Sequence, residues 1–236
     1  MSEATRRDEL ISNLEVTLAK VAQAAEHSGR RAEEVTVVVV SKTYPVSDIE
    51  ILYDLGVRHF GENRDQEARL KVDHLPRDIN WHFQGQIQSN KINSITSWAR
   101  YIHSVDRVDI FKKIISRIEA HPDTATQRTL IQINLDPPAE REGRGGVVVD
   151  EIDQFLSDEV FSLHQPAGVM AVAPLTGNAE EHFQKLVNIA HRLQGEGKVG
   201  PIISAGMSGD FEAAIHAGAT LIRVGSSILG KRTYPN

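Results

Sequence analysis

Val35-Thr36-Val37-Val38-Val39-Val40 is an unbroken run of β-branched residues that ends on Ser41 and Lys42. Such a run has no polar face, so as a strand it must be covered on both sides. Sheets with one wet face leave an alternation of apolar and polar residues. This strand has none, which points to a parallel sheet between layers of helices. The rest of the chain carries the pattern on. Strands are expected at 35–41, 58–61, 81–85, 101–104, 128–134, 167–171, 201–204 and 221–224, and helices at 46–55, 63–72, 90–98, 107–120, 149–156, 179–194 and 210–217. Strands that alternate with helices in this way give an α/β protein, and eight such units within 236 residues suggest a (β/α)8 TIM barrel. An open doubly wound sheet is the alternative. Ahead of the first strand, residues 3–27 place Leu10, Leu14, Val16, Leu18, Val21 and Ala25 at mostly helical spacing, an extra N-terminal helix that ends near Gly29. No linker or shift in composition divides the chain, so one domain over 1–236 is expected.

Charge and composition exclude several classes of function. A net charge of −6 gives no electrostatic reason to expect nucleic acid or a membrane as partner. The absence of cysteine rules out disulfides, zinc–thiolate sites and cysteine nucleophiles. No apolar run approaches the ~20 residues of a transmembrane helix, and the opening MSEATRRDEL lacks the apolar core of a signal peptide. A cytoplasmic protein is therefore expected. No metal-ligand or paired-carboxylate cluster stands out in the sequence.

In a barrel, active residues belong at the C-terminal ends of strands. Lys42 directly follows the first strand. Desolvation there lowers a lysine's pKa and frees its amine as a nucleophile, the requirement for a Schiff base. A surface lysine in a βα loop is the competing reading, and position alone favours it. The other end of the chain changes the balance. Ser204-Ala205-Gly206-Met207-Ser208-Gly209-Asp210 leaves one strand and opens a helix, and Arg223-Val224-Gly225-Ser226-Ser227 does the same at the last strand. Small residues let backbone N–H groups approach an anion, and barrels often bind phosphate after their last two strands. Two ordinary capped turns are the alternative. A strand-end lysine opposite a phosphate cup is a geometry suited to pyridoxal phosphate. Arg223, inside a barrel, needs a partner; it reads equally as a strand-end salt bridge or as a donor to a pyridine nitrogen. Asn63 either caps the next helix or faces a ligand, and His82 is more readily a satisfied core histidine than a proton-transfer group.

Taken together, these segments resemble the pyridoxal phosphate homeostasis protein family, the single-domain relatives of the alanine racemase N-terminal barrel. The matching stretches are Val40-Ser41-Lys42-Thr43, Phe60-Gly61-Glu62-Asn63, Trp81-His82-Phe83 through Gln88-Ser89-Asn90-Lys91, Gly168-Val169-Met170, Gly206-Met207-Ser208 with Asp210, and Arg223-Val224-Gly225-Ser226. The resemblance implies pyridoxal 5′-phosphate as cofactor, bound as a Schiff base to Lys42. It implies that Ser208, Gly225 and Ser226 hold the phosphate with Met207 beside them, that Arg223 lies at the pyridine nitrogen and that Asn63 lies near the ring. His82 and Ser204 are further candidates, and no metal is implied. Three departures concern the mouth of the site: Gln84 replaces an aliphatic residue and has no evident partner, Tyr44 stands where a longer polar or basic residue is common, and the 136–146 loop is long and carries Arg141 and Arg144.

The implied activity is intracellular vitamin B6 homeostasis, with the cofactor held and passed to pyridoxal-dependent apoenzymes, and a monomer is expected. A weak amino-acid racemase is the alternative. Alanine racemases bring a catalytic tyrosine from a second, C-terminal β domain; this sequence runs to Asn236, soon after its last strand. A base on the second face of the cofactor is therefore expected to be missing, and racemisation needs proton transfer on both faces. A phosphate-binding barrel enzyme that uses no pyridoxal phosphate is a third possibility.

Overall fold

A computed structural model describes residues 3–122, 126–140 and 145–230. Its strands are β1 (Thr36–Val40), β2 (His59–Glu62), β3 (Asn80–Phe83), β4 (Tyr101–Val105), β5 (Arg128–Asn134), β6 (Val147–Val148), β7 (Gly168–Met170), β8 (Ile202–Ser204) and β9 (Leu221–Val224). All pairings are parallel. The order β4-β3-β2-β1-β9-β8-β7-β5 is closed by a β4–β5 pairing, and β6 lies outside the ring beside β5. Eight strands thus form a closed parallel barrel, as the strand and helix alternation predicts. The two-residue β6 was not anticipated; it falls between the 136–146 loop and the helix expected from 149.

The helices are α1 (Glu3–His27), α2 (Val46–Asp54), α3 (Asp65–Val72), α4 (Ile92–Trp98), α5 (Val108–Glu119), α6 (Ile152–Phe155), α7 (Glu159–Leu163), α8 (Ala179–Gly195), α9 (Phe211–Ala217) and α10 (Ser226–Leu229). They cover the outer face of the barrel in two apolar layers. One joins Ile102, Ile131, Val169 and Ile203 of the strands to Ile110, Phe111 and Leu186 of α5 and α8. The other joins Val39, Phe60, Ile222 and Val224 to Leu10, Leu14, Ile49 and Phe211 of α1, α2 and α9. The buried stripe of α1 runs through Leu10, Leu14, Thr17, Val21 and Ala25, whereas Val16 and Leu18 are exposed. Those two lie off the 3.6-residue stripe, so their apolar character is not used for packing.

The barrel interior is different in chemistry. Val38, Leu130, Met170 and Leu221 are buried but belong to neither outer layer. They alternate along the strands with the outward residues and share the inside with His82, His103, Ser204 and Arg223, all buried. Register places Arg223 beside Val38 and Ser204 between Met170 and Leu221. Interiors of such barrels are ordinarily filled by bulky apolar residues, so four buried polar side chains in this one demand partners.

A candidate cofactor cavity at the C-terminal end of the barrel

At the end of the barrel where the strands point, a cavity of about 340 Å³ is lined by Lys42, Asn63, Met207, Ser208, Arg223, Gly225 and Ser226. The structure thus brings together the seven residues that the sequence reading puts around the cofactor. His82 and Ser204 are not among the lining residues; both are buried deeper in the barrel. Val40, Tyr44, Gln84, Met170, Val172 and Gly209 complete the wall. In sequence Gln84 and Tyr44 are departures from the family pattern, and no spacing rule places them here. The Gln88–Lys91 stretch lies outside this cavity, where Lys91 faces Asp65 at 3.9 Å. Arg141 and Arg144 lie outside the described residues.

Lys42 follows β1 on a loop fixed from below. Lys71, on α3, donates to the Ser41 carbonyl at 2.8 Å, to Glu62 Oε1 at 2.7 Å and to Glu67 Oε1 at 2.7 Å. Ser41 Oγ donates to the same Glu62 oxygen at 2.7 Å, and the Thr43 N–H donates to Glu67. Thr43 itself has φ = 70°, a left-handed conformation that costs a β-branched residue energy. The Glu67 bond and the buried ion network hold that geometry immediately after Lys42. Burial pushes the Glu62 carboxyl above its ordinary range against the pull of Lys71. For Glu67, burial also raises the pKa, but the bonds from Lys71 and Thr43 outweigh it and the net shift is down.

On the opposite wall, Ser208 Oγ accepts from the Gly225 N–H at 3.1 Å and the Ser227 N–H at 3.3 Å. One hydroxyl oxygen therefore sits where two backbone donors converge, a cup shaped for an anionic oxygen. The turn that presents Ser208 needs Gly206, whose φ is +89° and where a Cβ would lie 2.7 Å from Ala214 Cβ and 2.8 Å from Phe211 Cα. Asp210 closes the same turn by accepting from the Met207 N–H at 2.6 Å.

Arg223 reaches into the cavity from β9. Its Nη1 donates to Ser204 Oγ at 2.7 Å and its Nη2 to the Ala171 carbonyl at 2.9 Å. Burial lowers its pKa to about 10, against a smaller opposing pull from Asp210. It makes no strand-end salt bridge among the described residues; its partners are neutral. Asn63 does not cap α3, since Arg64 takes that position. Its Oδ1 is buried without a partner among the described residues, as is Nε2 of Gln84. Gln84 lies over Gly61, where a Cβ would be 2.7 Å from Nε2, and a Cβ on Gly85 would collide with the Asn63 carbonyl oxygen. Two glycines thus bring Asn63 and Gln84 together on one wall, each with an unmet hydrogen-bonding atom.

The profile of the alanine racemase N-terminal domain family matches residues 13–233. The pyridoxal phosphate homeostasis protein of Corynebacterium glutamicum is 38% identical over 88% of this chain and 94% of its own. The solved structure of PipY from Synechococcus elongatus PCC7942 with PLP bound superposes with a TM-score of 0.73 at 30% identity, covering 89% of this chain and 100% of that one. An alanine racemase from Corynebacterium glutamicum shares the fold, with a TM-score of 0.63 at 14% identity over 94% of this chain and 60% of its own. By sequence over nearly its whole length and by its barrel, the chain belongs to the pyridoxal phosphate homeostasis protein family, built on the alanine racemase N-terminal fold.

Proposed function

We propose that the cavity holds pyridoxal 5′-phosphate as a Schiff base on Lys42, and that the protein serves cofactor homeostasis in the cytoplasm. The observation that carries this reading is convergence: a strand-end lysine, a backbone-amide cup and a buried arginine line one cavity of about 340 Å³. The donor set fits the cofactor. Ser208, Ser226 and the backbone at Gly225 and Ser227 would take the phosphate, with Met207 at the rim. Arg223, whose guanidinium has five donors, would donate to the ring nitrogen and keep it unprotonated. Asn63 and Gln84 offer an acceptor and a donor with unmet capacity at the same wall. Bound there, pyridoxal phosphate supplies an aldehyde for the lysine amine and a ring that draws electrons from it.

Holding, more than turnover, is supported by the titratable groups that line the wall. Among the described residues they are Lys42, Arg223 and Tyr44, and the Tyr44 hydroxyl donates to the Gly230 carbonyl at 2.7 Å. An arginine at the ring nitrogen weakens the electron sink further. The protein acts as a monomer that passes cofactor to apoenzymes. The racemase family profile favours a second reading, weak amino-acid racemisation at the same lysine.

Purified protein incubated with pyridoxal phosphate should absorb in the near-visible, and borohydride should bleach the band and fix the cofactor on the Lys42 peptide in a mass spectrum. Lys42→Ala should stay colourless. A colourless wild type, or label on another lysine, sinks the reading. Turnover of a D- or L-amino acid that vanishes in Lys42→Ala would decide for the racemase.

A further inference from the structure

The polar interior of the barrel forms one continuous chain of hydrogen bonds. Arg223 Nη1 meets Ser204 Oγ at 2.7 Å, and Ser204 Oγ meets His103 Nδ1 at 3.0 Å. His103 Nε2 meets His82 Nδ1 at 2.8 Å, and His82 Nε2 meets His59 Nδ1 at 2.9 Å. His82, His103 and Ser204 are fully buried. Arg223 lines the cofactor cavity, whereas His59 lines a separate cavity of about 240 Å³ at the N-terminal end of the barrel, with Glu34, Thr36, Tyr101 and Thr220. The chain thus joins two cavities at opposite ends of the molecule. Its nitrogens pair with one another; no three of them converge as a metal site would need among the described residues.

We propose that His59, His82, His103 and Ser204 form a positioning relay that holds the Arg223 guanidinium in one orientation towards the cofactor cavity. Donor chemistry gives the relay a direction. A guanidinium only donates, so Ser204 Oγ accepts from Arg223. The Ser204 hydroxyl hydrogen then has His103 Nδ1 as its acceptor. A neutral imidazole carries one donor and one acceptor, so His103 donates from Nε2 to His82 Nδ1, and His82 donates from Nε2 to His59 Nδ1. Run in reverse, the chain would aim both Arg223 and His103 at Ser204 and leave the hydroxyl hydrogen without a partner among the described residues, at a fully buried position. Burial pushes both His82 and His103 well below the ordinary imidazole range, helped at His82 by the neighbouring His103 and His59 and at both by Arg223, which favours the neutral rings. The Tyr101 ring, stacked on His82 at 4.3 Å and 4°, fixes the plane of the middle imidazole. Arg100 adds positive charge near His59.

The relay's effect on the cofactor rests on the pyridoxal phosphate reading of the cavity; its direction does not. Long-range ¹⁵N–¹H correlation of the full chain without cofactor should show His59, His82 and His103 all in the Nε2–H tautomer at neutral pH. Ser204→Ala should lose the single-tautomer signature at His103 and weaken pyridoxal phosphate binding about tenfold or more, with a shifted absorption maximum. Ser204→Thr, which keeps the hydroxyl, should bind within about twofold of wild type on the same reasoning. His59→Phe, at the far end, should disturb the His82 resonances and weaken binding in the same direction. An Nδ1–H tautomer at any of the three histidines in wild type would overturn the relay. So would wild-type affinity in both Ser204→Ala and His59→Phe. If wild type fails to bind pyridoxal phosphate while all three tautomers agree, the cofactor reading falls and the directed chain stands.

Discussion

Lys71 leaves water to serve its neighbour. Its side chain is 7% exposed and that of its partner Glu62 is 0% exposed, so the pair has little solvent to fall back on. Removing one member of such a pair strands the other charge, which costs about 3–5 kcal/mol. Lys71→Met is therefore expected to lose that much stability in a denaturant titration. Adding Glu62→Gln should return part of it, with the two changes coupled by more than ~1 kcal/mol; simple additivity would refute the pairing. Lys42 could be singled out from the sequence as a candidate, and the structure does place it on the cavity wall, because strand end, glycine-serine turns and family pattern all converge on it. Lys71 was not, because a lysine four residues after Glu67 on a polar helix reads as a solvated i,i+4 pair. Only the packing of α3 under the Ser41–Thr43 loop turns it inward. Asn63 illustrates the reverse: its position fitted a helix cap or a ligand-facing residue, and the structure gives the cap position to Arg64 and leaves Asn63 on the cavity wall.

The longest element, α1, does more than cover the barrel. Thr17 Oγ1 donates to the Ser227 carbonyl at 3.4 Å, Asn13 Nδ2 to that of Ile228 at 3.1 Å and Arg6 Nη2 to that of Leu229 at 2.9 Å. These are carbonyls that a helix as short as α10 leaves without intrahelical partners. Tyr44 satisfies the next one, at Gly230. The extra N-terminal helix thereby fastens the segment that opens at Ser226, inside the proposed phosphate cup. Asn13→Ala should cost about 1 kcal/mol, speed amide exchange at Ile228 and Leu229 and loosen pyridoxal phosphate several-fold. Unchanged exchange at those amides would separate α1 from the cup. The helix itself was readable from Leu10, Leu14 and Val21, but its contact with α10 is more than two hundred residues distant in sequence and leaves no local trace. The two-residue β6 and the five-residue α7 were missed for a different reason: neither is long enough to show a period.

At the scale of the whole molecule, the outer layers were legible and the interior was not. Apolar runs such as 35–41 announce strands packed against helices, whereas His59, His82 and His103 stand 23 and 21 residues apart on neighbouring strands and meet only when the barrel closes. His82 read as a satisfied core histidine, and it is buried with a partner at each ring nitrogen, but those partners could not be named from sequence. Closure has a consequence for stability against pH. Burial holds His82 and His103 well below their ordinary pKa, and burial together with Arg100 lowers His59. Below about pH 6.5 the unfolded chain binds protons that these rings refuse, so the stability they contribute is complete above that pH and is lost as pH falls. Glu62 has the opposite sign: its raised pKa means the folded state gains a proton first, and its share of stability returns as pH falls towards the ordinary carboxylate range. Two or three histidines against one carboxylate leave the net slope positive. Each neutral-held ring is worth up to about 1.4 kcal/mol per pH unit in that window. The unfolding free energy, from denaturant titrations, should therefore fall between pH 7 and pH 5. His82→Gln should reduce the slope by about one proton's worth, whatever it does to the absolute stability. A slope in His82→Gln equal to that of wild type would mean that this ring takes up its proton inside the folded barrel, and the directed chain from Arg223 to His59 would not be intact.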